Sequence, residues 1–283
     1  MAGIFSGLEE FGLGNLSGMD IYESQEKERE NARKQGEDSK PAFSEEENIF
    51  DKSFTCPVCD KEFKSKTVKS GKVKLLSLDT DLRPIYENMD PLKYDAVTCP
   101  VCGFSALNRF FKFVSSAQAN LIKSNISVNF RGLKEAGNIF SYDDAIARHK
   151  LALVNAIVKK SKISERAYTC LKTGWVIRGK AESLPKDTPN YDKVIADLKL
   201  EEGDFLSKAY IGFGEAFSKE NFPMCGMDET TITLMMAELA RRTGKYDEAG
   251  RWISRILISR DANERIKQKA REIKELIKDQ KSE

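Results

Sequence analysis

Two copies of a four-residue cysteine motif constrain the fold of this chain more than any other feature. Residues 56–59, the first knuckle, and residues 99–102, the second knuckle, both read CPVC. Two residues between a pair of cysteines allow a tight turn to direct both sulfurs at one ion, and two such turns supply the four thiolates of a tetrahedral zinc site. The sequence therefore predicts a single zinc ion bound by Cys56, Cys59, Cys99 and Cys102.

One CxxC motif alone would also fit a redox pair. Two copies joined by a strand-rich segment favour a metal site, in which iron could replace zinc. Four thiolates leave no coordination position open to water or substrate, so we expect the ion to be structural and to contribute folding energy. Gly103, which follows the second knuckle, tolerates the positive φ that such a turn often requires.

Charge and hydropathy narrow the class of protein. In 283 residues, 46 lysines and arginines nearly balance 44 aspartates and glutamates, so net charge predicts neither a nucleic-acid-binding nor a membrane-surface protein. No apolar run approaches the ~20 residues that span a bilayer. The first basic residue is Lys27, after Glu9 and Glu10, which is not the pattern of a signal peptide. We expect a cytoplasmic protein, whose reduced cysteines are available to a metal.

Composition divides the chain into four segments. Residues 1–23 are apolar and glycine-rich, residues 24–49 read as a charged flexible linker, residues 50–104 as a zinc ribbon, and residues 105–283 as a helical domain. The apolar head, residues 1–23, could dock onto a partner or onto its own chain, and the sequence supports both alternatives.

Strand signals end and helical periodicity begins near Gly103. The segments TVKSGKVKLLSLDT and YDAVTCP read as strands, and the 39 residues between the knuckles could form an extended hairpin. Two apolar stripes at helical spacing follow: Ile163, Ala167, Leu171 and Trp175, then Ile266, Ala270, Ile273 and Ile277. We predict an α+β fold, a small β-rich zinc ribbon followed by a mostly helical domain of about five to seven helices.

A weak internal repeat suggests the kind of helical domain. Tyr142 and Tyr246 each open a helix with an acidic pair and an alanine, and GKYDEAGRWISRIL is similar to the second helix of a tetratricopeptide repeat. Ala249 would allow a paired helix to approach closely. This predicts a tetratricopeptide-like domain, although an ordinary helical hairpin would fit the same pattern.

Other candidate chemistry is sparse. Asp79 and Asp81 could bind a cation or an arginine, although aspartates after a strand are more often turn caps. His149, the single histidine, is predicted on a helix surface. Cys170 reads as a small buried hydrophobe, and the role of Cys225 is left open. Phosphate-loop, dinucleotide and nucleophile-elbow motifs are lacking, so we expect no catalytic residues.

Lysines crowd the first knuckle and the residues after it. They could follow a phosphate backbone, but Phe63 is the one aromatic nearby, and a solvated strand edge that discourages aggregation explains them better. The candidate nucleic-acid contacts are Lys64, Lys66, Lys69, Lys72 and Lys74, with Lys61 beside them.

Five sequence blocks resemble a bacterial family known as domain of unknown function 2225. They are FTCPVCDKEF, DTDLRPIYENMDPLKYDAVTCPVCGFSA, AIARHKLALVNAI, GWVIR and GMDETTITLMMAELARRTGKYDEAGRWISRIL, and the resemblance spans roughly residues 52–277. The resemblance implies a four-cysteine ribbon fused to tetratricopeptide-like helices. By motif, the family's metal ligands fall on the cysteines of the two knuckles.

Three functions remain open. The first is a cytoplasmic module that binds a protein or peptide through its helices, with the ribbon as a second contact. The second is a nucleic-acid-binding protein that uses the lysine-rich ribbon. The third is an enzyme that uses Asp79 and Asp81 with a divalent cation, and it has the least support.

Overall fold

The computed structural model describes residues 43–133 and 137–282, so the apolar head and most of the predicted linker lie outside the described residues. Residues from Glu45 onward form one compact unit. Within the described ranges six strands come first: β1 Ile49–Thr55, β2 Glu62–Val68, β3 Leu75–Leu78, β4 Pro84–Tyr86, β5 Ala96–Thr98 and β6 Ser105–Leu107. Among the described residues seven helices follow: α1 Ser116–Ile122, α2 Tyr142–Val158, α3 Ile163–Ser183, α4 Tyr191–Lys219, α5 Glu229–Arg242, α6 Tyr246–Ile258 and α7 Glu264–Ser282. The predicted α+β fold is thereby confirmed.

The strands form three separate antiparallel hairpins, β1–β2, β3–β4 and β5–β6. The residues between the knuckles therefore do not form the one extended hairpin that the sequence suggested. Strand β2 runs back along β1, with Thr55 opposite Glu62 and Ile49 opposite Val68. Strand β3 pairs with β4 instead. The short strand predicted in YDAVTCP is confirmed as β5.

Ordered structure extends beyond both predicted ends of the ribbon. Residues Glu46–Asn48 form a 3₁₀ turn within the segment predicted as linker. The carboxylate of Glu45 holds this turn in place, because it accepts a hydrogen bond of 2.7 Å from the Tyr94 hydroxyl and lies 2.7 Å from the Lys93 ammonium. At the other end, β6 lies wholly beyond residue 104.

Helices α2 and α6 begin at Tyr142 and Tyr246, as the sequence indicated. Ser141 and Asp144 form a capping box that starts α2, and the side chain of Asp228 caps α5. Glycines and prolines lie in the turns between helices. Both predicted apolar stripes face the interior: Ala167, Leu171 and Trp175 of α3, and Ala270, Ile273 and Ile277 of α7, are buried.

Helix α3 is the centre of the helical layer, because it packs against α2 on one side and α4 on the other. Helix α6 packs against α5 and α7, and α7 also contacts α5. Ala249, Ile253 and Ile256 of α6 are buried, as the repeat pattern predicted. These contacts fit a helical hairpin with a third helix, and the tetratricopeptide-like interpretation stays a prediction. None of the described helices is long and apolar enough to cross a membrane.

Candidate metal centre

Each knuckle is the tip of an antiparallel hairpin. The first joins β1 to β2, and its turn is closed by hydrogen bonds from the Asp60 amide to the Cys56 carbonyl (2.9 Å) and from the Cys56 amide to the Lys61 carbonyl (3.0 Å). The second joins β5 to β6. There Gly103 and Phe104 repeat the same two bonds with Cys99, at 3.1 and 2.8 Å. The two CPVC motifs therefore fold into near-identical turns.

The residue after each knuckle has left-handed backbone geometry. Asp60 has φ of 58° and Gly103 has φ of 74°, so the positive φ expected at Gly103 is confirmed. Aspartate is one of the few non-glycine residues that visit this region at modest cost. Glycine is required at the second position for another reason: a Cβ at residue 103 would lie 2.6 Å from the ring of Phe130.

The two turns bring four sulfurs from distant parts of the chain together. The Sγ atoms of Cys56 and Cys102 are 3.5 Å apart, those of Cys59 and Cys99 are 3.7 Å apart, and all four lie within 4.8 Å of one another. A zinc ion with four bonds of ~2.3 Å in tetrahedral geometry would separate its sulfurs by about 3.8 Å. The predicted ligand set can therefore hold a metal ion, and among the described residues it is the one such cluster of cysteine, histidine or acidic side chains.

Hydrogen bonds among the sulfurs lower the pKa of one thiol and raise the pKa of another. Those from the thiols of Cys102 and Cys56 lower the pKa of Cys99, and the amides of Val101 and Cys102 lower it further. Hydrogen bonding among the same thiols, with burial, raises the pKa of Cys56, although the Val58 and Cys59 amides oppose that rise. Four thiolates this close repel one another, so a divalent cation is the natural means of holding all four ionised.

An aromatic shell surrounds the cluster. The Phe111 ring lies 5.6 Å from that of Phe54 and 5.0 Å from that of Phe104, and Phe63 stacks on Phe54 at 5.8 Å. Three of the four cysteines are buried, and Cys59 is half-buried. Water therefore has little access to the sulfurs, which suits a structural ion rather than a catalytic one.

Helix α2 fixes the second knuckle to the helical layer. The Nδ2 atom of Asn155, which is fully buried, donates to the Gly103 carbonyl at 3.0 Å. The Ser105 hydroxyl donates to the Arg148 carbonyl at 3.2 Å, and the Ser127 hydroxyl donates to the Cys102 carbonyl at 2.8 Å. Sequence reasoning missed these residues, although a polar asparagine within the apolar run ALVNAI was a signal.

The two aspartates singled out from sequence bind arginines, one of the alternatives considered. Both oxygens of Asp81 accept from the Arg178 guanidinium, at 2.6 and 3.1 Å, and one also accepts from the Trp175 indole at 3.0 Å. Asp79 accepts from Arg83 at 2.7 Å and from Arg178 at 2.9 Å. Burial alone would raise the pKa of Asp81, but its arginines lower it overall. Cationic guanidinium groups around both carboxylates make a metal cation unfavourable there.

This network, which we call the arginine clamp, ties the β3–β4 turn to three helices. Arg178 of α3 also donates to Glu202 of α4 at 2.7 Å. The Thr80 hydroxyl of the turn donates to Glu238 of α5 at 2.5 Å, and Glu238 also accepts from Arg242 at 2.7 Å. The segment DTDLRP therefore has a structural role in joining the hairpin to the helices.

The prediction that His149 lies on a helix surface was wrong, because its side chain, which α2 carries, is fully buried. Its Nδ1 atom is 2.8 Å from the Ala145 carbonyl, and because a carbonyl accepts, Nδ1 carries the proton. Its Nε2 atom has no hydrogen-bond partner among the described residues. Burial lowers the pKa of His149, against the opposing effect of Asp95.

The remaining cysteines lie outside the cluster. Cys170 is buried in the helical core, as predicted, and burial raises its pKa to about 11. Cys225 is half-buried, has a positive φ of 49°, and its thiol donates to the Ser164 carbonyl at 3.4 Å.

Several ribbon lysines have nearby partners. The Lys69 ammonium donates to the Glu47 carbonyl at 2.7 Å, Lys66 lies 3.7 Å from Asp51 on the neighbouring strand, and Lys74 lies 3.9 Å from Glu87. The two carboxylates partly neutralise the charges of Lys66 and Lys74. Their role in binding nucleic acid stays a prediction.

Comparison with known proteins identifies the family. Residues 49–277 match the family described as "Uncharacterized protein conserved in bacteria (DUF2225)". A search of curated proteins and a search of solved structures returned no match. Since the match covers most of the chain, the protein belongs to this bacterial family.

Proposed function

We propose that this family member is a zinc-stabilised interaction protein that binds a protein or peptide partner and performs no chemistry of its own. The observation that carries the proposal is the closed four-sulfur cluster at the tips of two hairpins, held against helix α2. Such a centre stabilises a surface and leaves no coordination position for a substrate. Clustered free thiols need a reducing compartment, which supports placing the protein in the cytoplasm.

The choice of zinc rests on the ligand set and its spacing. Sulfur separations of 3.5 and 3.7 Å suit bonds of the length zinc forms with thiolates. Iron also accepts four cysteines and is the competing metal. The ion would hold the two knuckles together, and the cysteines and the amides around them would fix its geometry.

Exposed apolar side chains on α2 and α4 support a binding surface. Val154 and Ile157 lie one turn apart on α2 and are about half exposed, as is Ile211 on α4. The Lys150 ammonium of α2 lies 2.5 Å from the Glu201 carboxylate of α4, so an ion pair links these two helices. An apolar surface rimmed by such charges is typical of a site for a partner protein.

Affinity capture from a native bacterial lysate tests this proposal. Ile157→Lys and Ile211→Lys each place a charge on the surface, and we expect the double variant to lose the main captured protein. Ile258→Lys, on the exposed face of α6, is the matched control and should retain it. Equal capture by the native chain, the double variant and the control would contradict a binding surface on α2 and α4. Removing residues 1–49 separates recognition by the apolar head from recognition by the helices.

Nucleic-acid binding through the ribbon lysines is the second candidate. Gel mobility at two salt concentrations distinguishes it, because a protein that neutralises several phosphates loses affinity steeply as salt rises. Replacing Lys64 and Lys72 with glutamine should then weaken binding, while Lys123→Gln on the helical side should not. The absence of a salt-dependent shift would remove this candidate.

A further inference from the structure

A cavity of about 460 Å³ opens beside the first turn of α3, away from the knuckles. Three parts of the chain line it: the segment after β6, the start of α3, and the turn between α4 and α5. A volume of this size matches the ~300–1,000 Å³ typical of small-ligand sites. The lining residues that matter chemically are Arg109, Phe110, Phe113, Lys162, Glu165 and Glu220.

The exposed side chain of Arg109 lies against two aromatic rings. Its guanidinium carbon is 5.2 Å from the ring centre of Tyr168 and 5.5 Å from that of Phe110. Gly226 leaves room for it, because a Cβ there would lie 2.6 Å from Arg109 Nη2. No hydrogen-bond acceptor for Arg109 is found in the described ranges, and Asp95, which acts on it at longer range, is paired with a lysine at 3.1 Å. A stacked guanidinium leaves its N–H edge free for a planar anion.

The charges in the cavity favour an anion overall. Glu165 is paired with Lys159 at 2.7 Å. Glu220 accepts from the amide and hydroxyl of Ser164, at 3.2 and 2.5 Å, and thereby caps α3. Both acidic groups are therefore committed to the protein. Lys162 also lines the cavity and, within the described part of the chain, has no acidic partner, so the available charge is positive.

We infer that this cavity binds a carboxylate attached to an apolar or aromatic group. The guanidinium edge of Arg109 matches a carboxylate in a bidentate arrangement. Phe110 and Phe113, the latter 74% exposed at the opening, offer apolar surface for the attached group. The nearby carboxylates of Glu165 and Glu220 would repel a phosphate dianion more than a carboxylate, which carries one negative charge.

Two sources could present such a group: the C-terminal residue of a peptide, or a small organic acid. The peptide source rests on the proposed function, whereas the small acid does not. Failure of partner capture through α2 and α4 would therefore leave the cavity testable with small molecules.

Isothermal titration calorimetry of the full-length, metal-loaded protein tests the inference. The probes are the tripeptide glycyl-glycyl-phenylalanine, its C-terminal amide, phenylacetate and inorganic phosphate. We expect the free-acid tripeptide or phenylacetate to bind, the amide to bind at least about tenfold more weakly, and phosphate to be the weaker anion.

Variants assign the binding to Arg109. Arg109→Gln should weaken the carboxylate probes by about tenfold or more, and Arg109→Lys should retain part of the affinity. Arg260→Gln, at an exposed position just after α6, is the matched control and should bind as the native chain does. Four results would each overturn the inference. These are that neither carboxylate probe binds, that the acid and the amide bind equally, that phosphate binds as tightly as phenylacetate, and that Arg109→Gln has the affinity of the native chain.

Discussion

Asp60 and Gly103 occupy the same place in the two knuckles, yet they differ in what a substitution would meet. Both have positive φ. A Cβ at residue 103 would meet the ring of Phe130 at a distance that excludes a side chain, whereas Asp60 already carries a side chain. The two positions therefore share a backbone conformation and differ in the steric room for a side chain.

We predict that Gly103→Ala lowers the free energy of unfolding by about 1–3 kcal/mol, because it adds both left-handed strain and a clash. Asp60→Gly removes strain and should change stability by less than ~1 kcal/mol, in either direction. Urea unfolding of the metal-loaded proteins measures both. Equal losses in the two variants would show that the packing against Phe130 does not matter.

The buried His149 should make stability depend on pH. Its folded-state pKa is lowered by burial, so above pH ~6.5 the side chain is neutral in both states, and the full stability is present. As pH falls below ~6.5, the His149 imidazole becomes protonated in the unfolded chain and stays neutral in the folded chain. Stability should then decline by up to about 1.4 kcal/mol per pH unit until the folded-state pKa is reached.

His149→Asn tests this, because asparagine can still donate to the Ala145 carbonyl but does not titrate. Urea unfolding at pH 7.5 and pH 5.5 should show a smaller loss in the variant than in the native chain. Metal release at acid pH affects both proteins alike and cancels in the comparison. An identical pH dependence would mean that the imidazole becomes protonated in place.

At the scale of elements, the arginine clamp joins the β3–β4 hairpin to the helices. Asp81 is fully buried, and its charge is balanced chiefly by Arg178, 97 positions later in the chain. Removing one partner of a buried ion pair leaves the other charge uncompensated, which costs more than the pair contributed.

We predict that Asp81→Asn destabilises the protein by roughly 3 kcal/mol. Asp261→Asn, at an exposed position after α6, should be close to neutral. Thermal unfolding of the two metal-loaded variants makes the comparison. A loss in Asp81→Asn no larger than that in the control would contradict a structural role for the clamp.

Local features of these elements were predictable from sequence, and pairings between distant residues were not. The CPVC spacing specifies each knuckle because a turn needs only adjacent residues. The partner of Asp81 lies on a helix far along the chain, and no local pattern indicates it. The burial of His149 could have been predicted, since it lies at helical spacing from Ala145, Ala152 and Ala156, which are buried on the same face of α2.

At the scale of the whole molecule, the sulfur cluster joins two hairpins whose sequences are separated by the β3–β4 segment. Asn155 then attaches the second hairpin to α2, and the arginine clamp attaches the intervening segment to α3, α4 and α5. A metal ion in the cluster would therefore act on the helical layer through these hydrogen bonds. Losing it should loosen the ribbon first, because the helices have a separate apolar core.

The most direct measurement is the metal content of the purified full-length protein, determined by elemental analysis. We predict one zinc ion per chain in the native protein and in Cys225→Ser, whose thiol lies outside the cluster, and little or none in Cys59→Ser. Thermal unfolding of the same samples should show a lower melting temperature in Cys59→Ser alone. A native protein without tightly bound metal, with Cys59→Ser as stable as Cys225→Ser, would contradict a metal-stabilised architecture.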